Sequence, residues 1–347
     1  AFGLVGWHTR DDAPGIYYGD DNARALLGTL AAAAALGEAR WDRRVARALL
    51  GNLRTTGPLG FRGSALRQEE LEENGWRHYG TQARENFAPH FESWLWACFL
   101  WAHGHGGPEA FGNRAREGLG RMMAAYPDQW RWTNGLQQER ARMLLPLAWL
   151  LRTDDAPEHR AWLETVASDL LAAQQPCGAI REEVGSAGLG RYGPPASNEA
   201  YGTTEAPLIQ DNGDPLCDLL YTTNFAFIGL HEAAAATGEG RYRDAADRLA
   251  DLLCRIQIAS DEHPDLDGAW FRAFEYRRWD YWASNADHGW GPWSVESGWT
   301  QAWITATLAL RRLGTNLWDL TANSAVGRRT VELAPEMLPP DAAGPAE

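Results

Sequence analysis

Residues 17–54 read YYGDDNARALLGTLAAAAALGEARWDRRVARALLGNLR, and this stretch contains the unit from which the fold is built. A polar and aromatic leading segment, residues 17–24, runs into an apolar stretch, residues 25–36. Because residues 25–36 are apolar nearly all round, they predict a helix that is buried on all sides. Gly37 follows, as a glycine commonly follows a helix end. The charged stretch 41–54 then carries the apolar stripe of a half-exposed helix.

The same order recurs along the chain, and internal repetition of this kind indicates an architecture built from one repeated unit. Leading segments occur at 17–24, 89–92, 132–135, 213–215 and 290–296, apolar helices at 25–36, 94–102, 139–151, 218–236 and 299–313, and charged helices at 41–54, 108–126, 157–174 and 241–258. The sequence therefore predicts five helical hairpins. The element that completes the series of hairpins would come from residues 64–73, from residues 325–333 or from a segment preceding residue 1.

Buried helices on the inside and amphipathic helices on the outside predict an all-α fold, an (α/α)6 toroid with a long irregular loop insertion at 181–218. We expect one catalytic domain over residues 1–320 and a partly disordered C-terminal extension over 321–347. Inner helices of a toroid run in the same direction, so their leading segments gather at one mouth. The polar and aromatic residues of those segments would form one site there.

Charge and composition exclude several classes of protein. The net charge is −14, from 46 acidic and 32 basic residues, which argues against a nucleic-acid partner. No run of about 20 apolar residues is present, so we expect no membrane partner. All the basic residues are arginine, which excludes a lysine Schiff base or a P-loop lysine. We expect neither a metal nor an organic cofactor. The start of the chain favours a cytoplasmic over a secreted protein, and the oligomeric state is open.

Tryptophan is unusually frequent, with 18 residues, and its flat ring is a natural platform for a sugar. The hairpin repeats with tryptophan-rich leading segments resemble the six-hairpin, or (α/α)6, glycosidase superfamily. The stretches 289–301, GWGPWSVESGWTQ, and 198–202, NEAYG, are similar to segments of its uronic-acid-active, β-glucuronidase-like members. This resemblance implies a glycoside hydrolase that acts on an oligosaccharide or polysaccharide, including one that contains uronic acid, by paired-carboxylate acid/base catalysis.

Acidic residues in the leading segments are the catalytic candidates, because glycosidic cleavage needs an acid and a second carboxylate. Asp20 and Asp21 precede the first inner helix; one is expected to cap it, which leaves Asp21 as a candidate. Asp214 starts the fourth repeat, and Glu205 lies in the acid-rich insertion. Glu296 lies between tryptophans, where burial would raise its pKa and suit it to a general acid. If these acids only cap helices, the catalytic acids are to be sought at Glu182, Glu199 and Glu205.

Substrate-binding candidates fall in the same segments. Cationic groups suited to a uronate carboxylate are Arg24, His90 and Arg140. Aromatic and polar candidates are Tyr201, Tyr221, Asn224, Trp293 and Trp299. A buried ion pair between Glu139 and Arg140 is the competing, structural explanation for Arg140.

Three other functions remain open. A polysaccharide lyase would use a tyrosine or histidine base with an arginine to neutralise the uronate. A sugar epimerase would use two histidines, for which His90 and His288 are the pair in this chain. A non-catalytic carbohydrate-binding domain would need the aromatic residues but not the surplus of acids.

Overall fold

The computed structural model describes residues 3–7, 15–191, 207–209, 211–282, 295 and 300–338. These residues are mainly α-helical, which confirms the all-α prediction. The helices are α1 (Gly19–Leu36), α2 (Asp42–Arg54), α3 (Gln68–Thr81), α4 (Pro89–Gly104), α5 (Glu109–Ala124), α6 (Leu136–Thr153), α7 (Pro157–Leu171), α8 (Asn224–Thr237), α9 (Gly240–Ile256), α10 (Ala302–Arg312), α11 (Leu317–Leu320) and α12 (Val326–Met337). The strands are β1 (Ile16–Tyr18), β2 (Ala65–Arg67), β3 (Leu216–Asp218) and β4 (Ala273–Glu275).

The predicted repeats correspond to helices of the structure. Helices α1 and α2, α4 and α5, α6 and α7, and α8 and α9 match four hairpins, and α10 matches the apolar helix of the fifth. The chain forms two compact units. Unit 1 comprises Ala1–Asp128, Trp149–His159 and Leu317–Glu347, and unit 2 comprises Gln129–Ala148 and Arg160–Asn316. Closure of the hairpins into a ring and the single-domain boundary at residue 320 stay predictions.

Several helices begin earlier than the apolar pattern predicts. Helix α1 begins at Gly19, directly after β1, so Asp20 and Asp21 lie in its first turn. Its N-cap residue is Tyr18, which makes no side-chain capping hydrogen bond. The expectation that one of the two aspartates caps the helix was therefore wrong. Negative charge in a first helical turn is favourable because the N-terminal end of a helix carries partial positive charge.

Tryptophan side chains build the core of unit 1. Trp94, Trp96 and Trp101 on α4 are all fully buried. The indole N–H of Trp96 donates to the carbonyl oxygen of Gly60 at 2.7 Å. A Cβ at Gly118 on α5 would lie 2.6 Å from the Trp96 ring, so glycine there permits the close approach of the two helices. Core packing thus accounts for several tryptophans that the sequence suggested as sugar platforms.

The C-terminal segment extends unit 1. Helix α12 packs against α2, and Arg47 pairs with Glu336 at 2.6 Å. Pro335 lies inside α12, so the helix includes part of the region from which disorder was expected. Strand β1 pairs antiparallel with β2, which leads into α3.

In unit 2 the predicted helix start at residue 218 was wrong. Strand β3 ends at Asp218 and pairs with β4, and a π-helical turn, Leu219–Thr223, precedes α8. The Asp218 carboxylate accepts hydrogen bonds from the backbone N–H groups of Leu220 and Tyr221, at 2.9 and 2.8 Å, which fixes this turn. None of the helices in the described residues is long and apolar enough to cross a bilayer.

Candidate functional site

The structure distributes the candidate residues over both units. Unit 1 contains Asp21, Arg24 and His90, and unit 2 contains Arg140, Asp214, Tyr221 and Asn224. Glu205, Tyr201, Glu296, Trp293 and Trp299 lie outside the described residues, as do Glu199 and His288. Since Asp21 and Asp214 fall in different units, their convergence with Glu296 at one mouth stays a prediction.

Within unit 1, the first turns of α1 and α4 bring four charged or titratable side chains together. His90 Nε2 lies 3.4 Å from Asp20 Oδ2, and Arg24 Nη2 lies 3.8 Å from the same oxygen. Arg24 also pairs directly with Asp21. We name these four residues the α1–α4 cluster. Two leading segments of the predicted repeat therefore do meet in unit 1.

Two buried charged residues, Glu92 and Arg62, lie near the α1–α4 cluster. Glu92 is 1% exposed and accepts hydrogen bonds from the backbone N–H of Arg62 at 3.0 Å and of Gly63 at 2.7 Å, and from the Asn86 amide at 2.8 Å. Burial raises the pKa of Glu92, although these donors oppose the shift. Burial lowers the pKa of Arg62 to about 10, so Arg62 stays charged at neutral pH.

Asn22, in the first turns of α1, uses every polar atom of its side chain. Its amide nitrogen donates to the carbonyl oxygens of Val5 and Tyr18, at 2.9 and 2.8 Å. Its amide oxygen accepts from the N–H of Val5 at 2.8 Å and from the amide of Asn52 at 3.2 Å. Arg62 in turn donates to the Asn52 amide oxygen. These bonds tie the N-terminal segment around Val5, and the end of β1, to α1 and α2, which is a structural role.

Within unit 2, a second group of polar residues surrounds Glu182. Glu182 is 1% exposed, and its Oε1 accepts from the backbone N–H groups of Gln137 and Glu183, at 3.2 and 3.1 Å. The Thr222 hydroxyl donates to Oε2. Gln137 lies in the first turn of α6 and Thr222 in the π-helical turn before α8. We name Glu182, Gln137 and Thr222, with Asp218, the Glu182 cluster; it also joins two consecutive repeats.

Asp218 acts on Glu182 through its charge. One of its oxygens caps the π-helical turn, and the other lies 3.2 Å from Arg272 Nη2. Arg272 is fully buried and lies 4.9 Å from the Tyr221 ring centre. Burial, and secondarily the negative charge of Asp218, raise the pKa of Glu182 to about 8. The Glu182 carboxyl is therefore mostly protonated at neutral pH, which is the state a general acid requires.

The leading segment of α6 holds Glu182 from one side. A methyl group at Gly135 would overlap the Glu182 carboxyl and force that side chain to move. Side chains at the start of α6 hold the segment that precedes it, because the backbone N–H of Thr133 donates to Glu139 at 3.0 Å and that of Asn134 donates to Gln138 at 3.1 Å. These bonds explain the polar residues at the start of α6 and fix the backbone that lies against Glu182.

The remaining candidates of unit 2 have structural partners. Arg140 Nη1 lies 3.3 Å from Glu183, and Arg140 Nη2 lies 3.9 Å from Asp169. The Asn224 amide oxygen accepts from the N–H of Phe225 at 2.7 Å. Asp214 is half-buried, two residues before β3. Among the residues that the structure describes, no group of three histidine, cysteine or acidic side chains could hold a metal ion.

The sequence indicated Glu182 only as an alternative catalytic acid, together with Glu199 and Glu205 of the insertion. Its local sequence, Arg-Glu-Glu-Val at 181–184, does not distinguish it from Glu183. Its contacts come from residues 45 and 40 positions away in the chain, Gln137 and Thr222. The chain matches no known protein-family model, and no curated protein is similar to it in sequence.

Proposed function

We propose that this protein is a glycoside hydrolase and that Glu182 is its general acid. Cleavage of a glycosidic bond needs a carboxylic acid that protonates the leaving oxygen. The proposal rests on the position of Glu182, which is buried between the first turn of α6 and the π-helical turn before α8, where burial raises the pKa of its carboxyl.

Asp214 is the second carboxylate of this proposal. Asp218 has a structural role, because one of its oxygens caps the π-helical turn and the other pairs with the buried Arg272. Asp214 belongs to the same chain segment and is half-buried, so water can reach it. Its backbone leads directly into β3, where the carbonyl oxygen of Leu216 accepts the N–H of Glu182 at 2.9 Å.

The proposed substrate class is a carbohydrate, and the described contacts leave a uronic acid without a dedicated cation. Arg140 is paired with Glu183, and Arg24 is paired with Asp20 and Asp21. A substrate carboxylate would have to displace one of these acids from its arginine, which costs the energy of a partly buried ion pair. Neutral sugars face no such competition.

Glu182→Gln tests the assignment. The amide keeps the shape of the side chain but cannot donate the carboxyl proton, so kcat on 4-nitrophenyl and natural glycosides should fall by about 10²–10⁴. Loss should be smaller for substrates whose leaving group needs no protonation. Glu262→Gln, an exposed acid of the same unit, is the matched control and should leave kcat unchanged. Full activity of Glu182→Gln on natural glycosides would refute the assignment.

One observation favours a second candidate, removal of a proton from a sugar carbon by a lyase or epimerase. His90 contacts Asp20 at 3.4 Å, and a histidine held by a carboxylate is a suitable base. His90→Gln should then abolish formation of an unsaturated uronide, followed by ultraviolet absorbance, or solvent deuterium exchange into the sugar. If the wild type shows neither reaction on any uronate-containing polymer, this candidate is discarded.

A further inference from the structure

Asn134 stands apart from the other buried side chains of unit 2. It is 1% exposed, immediately before Gly135 in the leading segment of α6. Among the described residues, neither its amide nitrogen nor its amide oxygen has a hydrogen-bond partner. Buried polar groups in folded proteins are almost always bonded, so an amide with both ends unused requires an explanation.

Two further unused polar atoms occur on the segments that hold Glu182. The amide oxygen of Gln137 and the hydroxyl of Thr223 are also buried without a hydrogen-bond partner among the described residues. Gln137 bonds Glu182 through its backbone N–H, and Thr223 follows Thr222, which bonds the Glu182 carboxyl. The unused atoms therefore belong to the segments that surround the proposed general acid.

The backbone around Asn134 is held in place independently of its side chain. The N–H of Asn134 donates to Gln138, and the neighbouring N–H of Leu136 donates to the carbonyl oxygen of Glu183 at 2.6 Å. Gly135 lies against the Glu182 carboxyl. The backbone that carries Asn134 is thus fixed next to the residue that lies against Glu182, and the side-chain amide contributes no hydrogen bond to this scaffold, as expected of a preorganised recognition group.

We propose that Asn134 is a substrate-recognition residue whose side-chain amide binds two neighbouring hydroxyl groups of a sugar ring. An amide presents one acceptor and one donor side by side, and a hydroxyl both donates and accepts. Adjacent ring hydroxyls can therefore satisfy both ends at once, one donating to Oδ1 and the other accepting from Nδ2. This inference rests on the proposed glycoside hydrolase function and assigns its substrate a vicinal diol next to the scissile bond.

Asn134→Leu tests the claim first without any substrate. Leucine has a similar size and removes the unused amide, so the midpoint of thermal unfolding should rise by about 2–4 °C. Asn22→Leu is the matched control, because every polar atom of Asn22 is bonded. It should lower the midpoint instead. A fall for Asn134→Leu comparable to that for Asn22→Leu would show that the amide is engaged within the protein, and the inference would be wrong.

The second measurement uses 4-nitrophenyl glycosides of glucose, galactose, mannose, xylose and glucuronic acid in both anomers, with their monodeoxy derivatives. For the best parent sugar, Asn134→Leu should lower kcat/KM by about tenfold to a hundredfold, mostly through KM. The preference of the wild type for the parent over one deoxy derivative should collapse to within about twofold in the variant. Asn134→Ala, which adds no bulk, should give the same collapse.

The outcomes separate this inference from the proposed function. If the wild type hydrolyses a glycoside and Asn134→Leu keeps the same preference between parent and deoxy sugars, the inference fails and the hydrolase proposal stands. If the wild type hydrolyses none of these compounds and none of the corresponding methyl glycosides raises its unfolding midpoint, both fail. Collapse of the preference in both Asn134 variants, with Glu182 still required for turnover, supports both.

Discussion

Asn22 in unit 1 and Asn134 in unit 2 are both almost fully buried, and both lie near the N-terminal end of a long apolar helix. Asn22 uses all its polar atoms to tie the chain together, whereas Asn134 uses none within the described residues. The same difference separates their surroundings. The Glu92 carboxyl accepts three hydrogen bonds, and unused polar atoms occur around both carboxyls, but only the Asn134 amide has both of its ends unused among the described residues. Similar local architecture thus ties the chain together at Asn22, and we propose that it serves binding at Asn134.

The largest expected effect concerns the pH dependence of stability. Folding raises the pKa of Glu182 from 4.5 to about 8, so between these values the folded protein holds a proton that the unfolded chain has released. The free energy of unfolding should therefore fall as pH rises through this range, by up to about 1.4 kcal/mol per pH unit from this one group. The contribution is fully present below pH 4.5 and lost above about pH 8.

Denaturant titrations of the wild type and Glu182→Gln over this pH range check the expectation. The variant should lose most of the slope. Burial also raises the pKa of Glu92, so the part of the slope that Glu182→Gln retains should be reduced by Glu92→Gln. An unchanged slope in Glu182→Gln would mean that Glu182 is ionised in the folded protein, and the contrast between the units would disappear.

Disrupting the buried cluster of Arg62, Glu92 and Asn52 in unit 1 should be nearly as costly. Arg62→Met removes the donor to the Asn52 amide oxygen and to the carbonyl oxygen of Tyr17, together with a positive charge that acts on Glu92. Leaving a buried charge without its partner costs about 3–5 kcal/mol, and denaturant titration measures it. Arg44→Met, an exposed arginine of the same unit, is the control and should change stability little. A small effect for Arg62→Met would contradict the structural role given to this cluster.

Gly135→Ala tests the role of Glu182 in unit 2 separately, because it displaces the Glu182 side chain but keeps its carboxyl group. The added methyl group would overlap the Glu182 carboxyl and force it to move. Overpacking of this kind costs about 1–3 kcal/mol of stability, and turnover of a glycoside should fall with it. Gly240→Ala, where a methyl group meets no atom within 4 Å, is the matched control. Equal behaviour of the two variants would place Glu182 outside the active site.

The smallest expected effect is a gain of stability from a substitution at Gly28. Gly28 lies on the exposed face of α1, where a methyl group meets no atom within 4 Å. Gly28→Ala should raise the free energy of unfolding by about 0.5–1 kcal/mol, because alanine loses less backbone entropy in a helix. Thermal unfolding measures the gain. A loss of stability would show that α1 does not tolerate a side chain there.

The periodicity of the chain by itself determined that the protein is all-α and where its helical pairs lie. Helix periodicity depends only on neighbours three and four residues away, so it can be read without knowledge of the fold. Exact starts were less predictable: α1 and α8 depend on the strand or turn that precedes them, as at Tyr18 and Asp218. The ring and its shared mouth, although implied by the resemblance to six-hairpin glycosidases, stay predictions.

Which acid is buried was decided only by the tertiary structure. Glu182 and Glu183 are adjacent, yet Glu182 is 1% exposed, whereas the side chain of Glu183 is 30% exposed and pairs with arginines. The difference arises from Gly135 and Thr222, which are distant from the two acids in the chain. In their described contacts, both residues touch Glu182 and neither touches Glu183. A pKa depends on burial and on charges in space, and neither quantity is encoded in the local order of residues. The sequence therefore supplied the list of acids, and the packing of distant segments selected one of them.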